Sequence, residues 1–387
     1  MQNLYLTMAT VINKRSSGFL IRLVFIAWIV SKSISYMLWM GNREFPLVPV
    51  WDWLLAIPFW VHFAIFVSSL ALMALSVFSP QKLFAWIILC LEIFSCLLDQ
   101  NRWQPWEYQF LFFLFCYASM PTEDMLRKSW QVILVSTYFF GGLFKFNPYF
   151  IHDTWQYLIL IKWLHIIPTN EWILRAGYII PLIEMLAGFF LLFRVTQRMA
   201  AILLIAMHVF ILLLLGPTGL DINAVVWPWN IFLAILLFAL FIPPSQAIFG
   251  GEVLYRPAFI LLIIAWLLMP WFRFGGVWDK YLSSVLYGGG VEQLFICSNN
   301  PEALQMTAPF RNEKFSLVPC SSAIPVYKWG MHEMRTAPYP EQRVFKRIMK
   351  SWGKKYGSAQ FYLFKPGFKS TVKVWNREGR GGWQTVR

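Results

Sequence analysis

Three ionisable side chains sit where so apolar a sequence has least reason to keep them: Lys145, Glu184 and His208. Each lies within or at the end of an apolar run. A charge inside a bilayer is costly, so such residues are functional candidates by default. Glu184 stands ten residues before Arg194, and His208 ten residues after Arg198. At about 1.5 Å per helical residue both fall roughly 15 Å from one tight turn, so antiparallel neighbours would bring them together near mid-membrane. Such a pair either fixes helix packing or takes part in proton transfer, and the spacing leaves both open. Lys145 closes the run Tyr138-Phe-Phe-Gly-Gly-Leu-Phe-Lys145, roughly 25 Å along the helix from Lys128. It either snorkels to the interface or, where low dielectric disfavours the ammonium, offers a free amine as base or nucleophile. Gly141 and Gly142 permit close approach by another helix or a ligand.

The same outer layer should receive Asp221, Asn223 and Trp227-Pro-Trp-Asn230. Trp227 and Trp229 either stack on a flat ligand or anchor the interface. Asn230 places an amide just inside an apolar span. His152 and Asp153 could enter the same site. His62 and Glu92 lie in apolar runs without an assigned partner and read as structural.

These residues need elements to hold them, and the composition says which. Of 387 residues, 58% are hydrophobic, 13% charged and 19% aromatic. That excludes a disordered chain and argues against a soluble enzyme. It suits an all-α integral membrane bundle with aromatic belts at both interfaces. Runs long enough to span, or nearly so, cover 19–40, 51–78, 83–98, 108–120, 130–146, 172–193, 199–215, 225–242 and 258–271. The fourth and ninth are short, so eight or nine transmembrane helices are expected. The segment 155–167, interrupted by Lys162 and His165, reads as interfacial or re-entrant. The N-terminus, with Lys14 and Arg15 before a long apolar run, does not read as a cleavable signal.

Two domains follow: a bundle over 1–272 and a small α+β tail over 273–387. Residues 1–270 carry 15 Lys and Arg against 12 Asp and Glu, whereas residues 271–387 carry 18 against 7. For a chain already in a membrane, anionic lipid headgroups are a better partner for that tail than nucleic acid. In the tail, Pro340-Glu341 opens a helix with Val344, Ile348 and Trp352 on one face, fit for a membrane surface or for packing on its own domain. Strands are expected over 360–364 and 371–375, with a turn at Pro366-Gly367. Loop charges place the N-terminus in the cytoplasm and, with nine spans, the tail outside it. Cys297 and Cys320 could pair only in an oxidising compartment. Cys90, Cys96 and Cys116 read as small hydrophobes, and no Cys/His spacing resembles a metal site.

The stretch from about 130 to 230 resembles the vitamin K-dependent γ-carboxylase family and its relatives with the horizontally transferred transmembrane domain. The residues that carry the resemblance are Tyr138-Phe-Phe-Gly-Gly-Leu-Phe-Lys145, Glu184-Met-Leu-Ala-Gly-Phe-Phe-Leu-Leu-Phe193 and Met207-His208. The chain departs from the family at Phe144, where a second lysine stands, and at Asn147, where an aspartate stands. The resemblance implies an integral membrane enzyme in which Lys145 is the base that deprotonates a reduced naphthoquinone. Oxygen then turns the quinone into an epoxide through a strong base that drives carboxylation of a peptide glutamate. His208 and Glu184 would orient nearby groups, and Asn223, Trp227, Trp229 and Asn230 would line the cofactor pocket. The alternative is a non-catalytic accessory or partner-binding membrane protein, DoxX-like or export-associated, on the same helices. An enzyme needs Lys145, His208 and Asn230 on one cavity of at least a few hundred Å³; divergent side chains or a filled interior favour the accessory reading.

Overall fold

The computed structural model describes residues 2–243, 248–285, 288, 290–310, 318, 320, 323–365, 371–376 and 382–385. The expected turn at Pro366-Gly367 lies outside them. The helical part runs α1 (Gln2–Ile34), α2 (Tyr36–Trp39), α3 (Phe59–Phe78), α4 (Lys82–Leu98), α5 (Pro105–Ser119) and α6 (Glu123–Lys145). A π-helix (Phe150–Trp163) follows in the expected interfacial stretch, then α7 (Glu171–Ala176), α8 (Ile179–Phe190), α9 (Gln197–Leu215), α10 (Val226–Phe241) and α11 (Pro257–Ile263), the last continuing irregularly to Gly275. Among the described residues, four segments are long and apolar enough to cross a membrane: Phe59–Phe78, Glu171–Phe190, Gln197–Leu215 and Pro257–Gly275. The expected spans at 83–98, 108–120 and 225–242 coincide with shorter helices of 17, 15 and 16 residues. Helix α5 is buried almost all round and carries Glu107 and Gln109 inside, so it is a central core helix.

Local signals set these boundaries. Thr122 caps α6 by accepting from the Met125 N–H at 3.3 Å, Glu123 and Asp124 occupy its first turn and Lys145 its last, each complementing the helix dipole. Pro105 and Pro257 open α5 and α11, where no N–H is missed. Helices α6 and α8 meet backbone to backbone. A Cβ on Gly142 would lie 2.6 Å from the Pro181 carbonyl, and one on Gly188 would lie 2.9 Å from the Tyr138 Cβ. Only glycine allows that approach.

The connections alternate between two ends. At one end Lys82 reaches the Met120 carbonyl at 2.6 Å, Tyr117 reaches that of Pro80 at 2.9 Å, and Arg127 reaches that of Ala239 at 3.0 Å. At the other lie the loops after α2 and α4, and the tail docks there. Gln104 bonds the Ala337 carbonyl, the Tyr339 N–H bonds Asn101, Arg343 bonds Gln100, and the Phe45 N–H is held by Glu333. The tail thus packs on the end of the bundle that carries the loops after α2 and α4.

The tail comprises β1 (Gln293–Cys297), α12 (Pro301–Thr307), β2 (Ala323–Pro325), α13 (Val326–Met334), α14 (Gln342–Lys355), β3 (Gln360–Lys365), β4 (Thr371–Asn376) and β5 (Gly382–Thr385). The strands form one antiparallel sheet in the order β2-β1-β3-β4-β5, with Tyr362 opposite Val374. Cys297 and Cys320 are disulfide-bonded. Val344, Ile348 and Trp352 on α14 are fully buried, so the helix packs on its own domain and does not lay its apolar face on a membrane. Cys96 and Cys116 are buried, whereas Cys90 is exposed.

Candidate functional site

Lys145 ends α6 two turns above Tyr138, on the same helix face. Its ammonium bonds both carboxylate oxygens of Glu184, at 2.9 and 2.7 Å. The two side chains are 14% and 6% exposed. Gly141 makes room for this pair: a Cβ there would lie 2.8 Å from Glu184 Oε1. Pro181, Glu184, Ala187 and Gly188 form the buried face of α8, which is turned to α6.

Glu184 therefore pairs with Lys145, and no hydrogen bond joins it to His208. The His208 Nε2 lies 2.7 Å from the Tyr138 hydroxyl, and its Nδ1 lies 2.8 Å from Asn230 Oδ1. The Asn230 amide N–H donates to the Val226 carbonyl at 2.7 Å. The correction has a simple physical cause. Equal depth on two antiparallel helices does not fix which way a side chain points around the axis, and the Gly142–Gly188 crossing turns Glu184 to α6. Tyr138, the residue that closes the histidine network, stood in the sequence motif but was not singled out.

Lys145 and Glu184 share a cavity of about 70 Å³. Its other walls come from the π-helix, α8 and α9, including Leu158, Ile180, Met207 and Phe210, and its rim residues Leu158, Ile180 and Met207 are half-buried. His208 and Asn230 do not line it. Met207 faces the cavity while His208, next in sequence, faces the closed network. The expected cofactor residues are dispersed. Trp229 donates to Gln109 at 2.5 Å, and Gln109 to Thr137 at 2.7 Å. Trp227 borders an apolar groove between α1 and α10. Asn223 borders a different cavity of about 180 Å³, where Tyr281, Glu292 and Tyr327 contribute from the tail side. His152 is exposed and bonds Gln156.

Sequence reasoning missed a second, denser polar cluster. Lys32 on α1 bonds Glu92 on α4 at 2.6 Å, with both side chains at zero exposure. Ser69 also donates to Glu92. The Lys32 ammonium lies 3.1 Å from the Trp39 ring centroid, a cation–π contact. Nearby, Arg43 pairs with Asp99. Fully buried Arg102 donates to the Leu38, Trp39 and Ser95 carbonyls and meets His62 Nδ1 at 2.9 Å. Arg43 and Arg102 are thus inside the fold. His62 and Glu92, without assigned partners in the sequence, meet Arg102 and Lys32 here.

The chain matches no protein-family model, no curated protein and no solved structure.

Proposed function

We propose that this chain is a multi-pass membrane protein with nine spans and an extracytoplasmic tail, and that Lys145 and Glu184 form a proton-exchanging site reached from the bilayer by the polar end of a lipid-soluble molecule. The observation that carries this reading is the Lys145–Glu184 pair on the wall of an apolar cavity with a half-buried rim. Three observations support the topology. The tail docks on the loops after α2 and α4, the positive-inside bias favours a cytoplasmic N-terminus, and the Cys297–Cys320 bond belongs to an oxidising compartment.

A reduced naphthoquinone, the group implied by the resemblance, does not fit this cavity. Sites that enclose a ligand of that size run to about 300–1,000 Å³, against about 70 Å³ here. The proposal therefore involves no quinone. What the pair itself can do is hold one proton between an amine and a carboxylate and pass it to or from a hydroxyl or acid placed at the rim. The apolar walls exclude competing water.

The accessory reading is favoured by a different observation: Tyr138, His208 and Asn230 satisfy one another in a closed network that leaves no group directed at a ligand.

Infrared difference spectroscopy of the reconstituted protein with and without a long-chain fatty acid separates the two. A carboxylate band that shifts on addition in the wild type and vanishes in Glu184→Gln is expected. Lys145→Arg keeps a cation but gives up no proton below about pH 12, and should abolish the shift. A Glu184 band that does not respond would make the pair a packing device and the accessory reading the better one.

A further inference from the structure

At the tail-facing end of the bundle, Trp51 and Trp53 flank Asp52 at the start of a short 3-10 turn (Asp52–Ala56) that leads into α3. Their rings stack at 6.1 Å and are 50% and 66% exposed. Below them, exposed Phe59, Phe63 and Val67 form a stripe down α3 at the four-residue spacing of one helix face. Helix α14 lies across the turn. With its apolar face spent on the tail core, its other side brings Arg347, Lys350 and Lys354 against Asp52, Pro49 and Leu55 around a cavity of about 320 Å³.

The cations there outnumber the carboxylates by three to one. Arg347 is committed to the Pro49 and Val50 carbonyls. Lys350 bonds Asp52 at 3.1 Å. Lys354 has no hydrogen-bond partner among the described residues. The hydrogen bond from Lys350, with the charges of Lys350 and Arg347, holds the Asp52 carboxyl below its ordinary pKa, so one carboxylate shares three cations and positive charge is left over. The cavity sits where tryptophan belts mark the membrane interface, directly above an exposed apolar stripe.

We propose that this cavity binds the headgroup of an anionic phospholipid, with Lys350 and Lys354 on its phosphate and the Trp51–Trp53 pair and the α3 stripe along its acyl chains. A soluble anion would use the cations but not the stripe; a phospholipid uses both. The proposal rests on α3 crossing the bilayer, and not on any chemistry at Lys145.

The test is lipid retention measured by native mass spectrometry after extraction from mixed phosphatidylglycerol and phosphatidylcholine vesicles. The wild type should retain phosphatidylglycerol selectively. The double variant Lys350→Gln with Lys354→Gln should lose that selectivity by about tenfold. The charge-matched pair Lys365→Gln with Lys373→Gln, on β3 and β4, should keep it. Asp52→Asn, which frees Lys350, should retain more phosphatidylglycerol than the wild type. Equal loss in the two double variants, an unselective wild type, or no gain in Asp52→Asn would overturn the site. The readout is bound lipid, so its failure leaves the Lys145–Glu184 reading to its own infrared test.

Discussion

The bundle holds two lysine–glutamate pairs of nearly the same length, 2.6 Å for Lys32–Glu92 and 2.7 Å for Lys145–Glu184, in opposite settings. The Lys32 pair is at zero exposure: the ammonium has a carboxylate and an indole face, and Glu92 has a serine hydroxyl besides. Around Lys145 one side is a cavity. The lesson is that the pairing does not make a site; the covering does. Removing a buried ion from water costs several kcal/mol, which only good geometry and further hydrogen bonds offset. The first pair has both and can serve as a locked cross-brace between α1 and α4. The second is bidentate but has bare apolar wall on one side, and so it can still exchange a partner.

That contrast sets the order of expected effects. Lys32→Ala strands Glu92 in a sealed interior and should cost about 3–5 kcal/mol, seen as the largest fall in melting temperature of the detergent-solubilised protein. Lys145→Ala should cost less, about 1–3 kcal/mol, because Glu184 borders an open cavity and has room to turn toward another partner. If the two variants melt alike, the pairs are equivalent and the contrast is lost. Tyr138→Phe removes one hydrogen bond from His208 and should cost about 1 kcal/mol. It should leave the Glu184 infrared band unchanged, which would show that the histidine network and the ion pair are separate.

The smallest effect is a pH dependence at the neighbouring Asp99. Burial alone would raise its pKa, but the Arg43 and Arg102 guanidiniums, with hydrogen bonds from Arg43 and the Asn101 N–H, hold it below its ordinary value. A carboxyl with a depressed folded pKa contributes stability above its unfolded pKa, about 3.9, and loses it as pH falls through the folded value. Asn101 also holds the Tyr339 N–H at 3.0 Å. Protection factors of the tail amides, corrected for the intrinsic exchange rate at each pH, should therefore be unchanged from neutral pH down to about pH 4 and fall below it. A fall that begins near neutrality would point to a different group.

Periodicity made much of the tail readable in advance. The α14 face of Val344, Ile348 and Trp352 and the alternating strands at 360–364 and 371–375 are local patterns, and each formed as the pattern demanded. The glycines 141 and 142 were readable as a place of close approach, and α8 is what approaches. What was not readable was azimuth and convergence. The sequence set Glu184 and His208 at one depth, but the facing of each is decided by a helix crossing that involves residues 142 and 188. The role of Arg102 was not readable because its acceptors lie on separate segments, at Leu38, Trp39 and Ser95. Lys32 was overlooked for a similar reason: its partner is 60 residues away, and in isolation it looks like a helix-end lysine.

The clamp between the tail and the loop after α2 also bears on how the molecule is made. Arg347 reaches the Pro49 carbonyl across 298 positions of chain, and Lys355 reaches Glu44 across 311. At about 5–20 residues per second of translation, the 44–52 loop emerges roughly 15–60 seconds before the helix that seats it. During that interval the Pro49 and Val50 carbonyls lack their Arg347 partner. Biogenesis of this protein thus contains a built-in waiting period, in which nearly the whole bundle exists without its closing piece and only the arrival of α14 can end the wait.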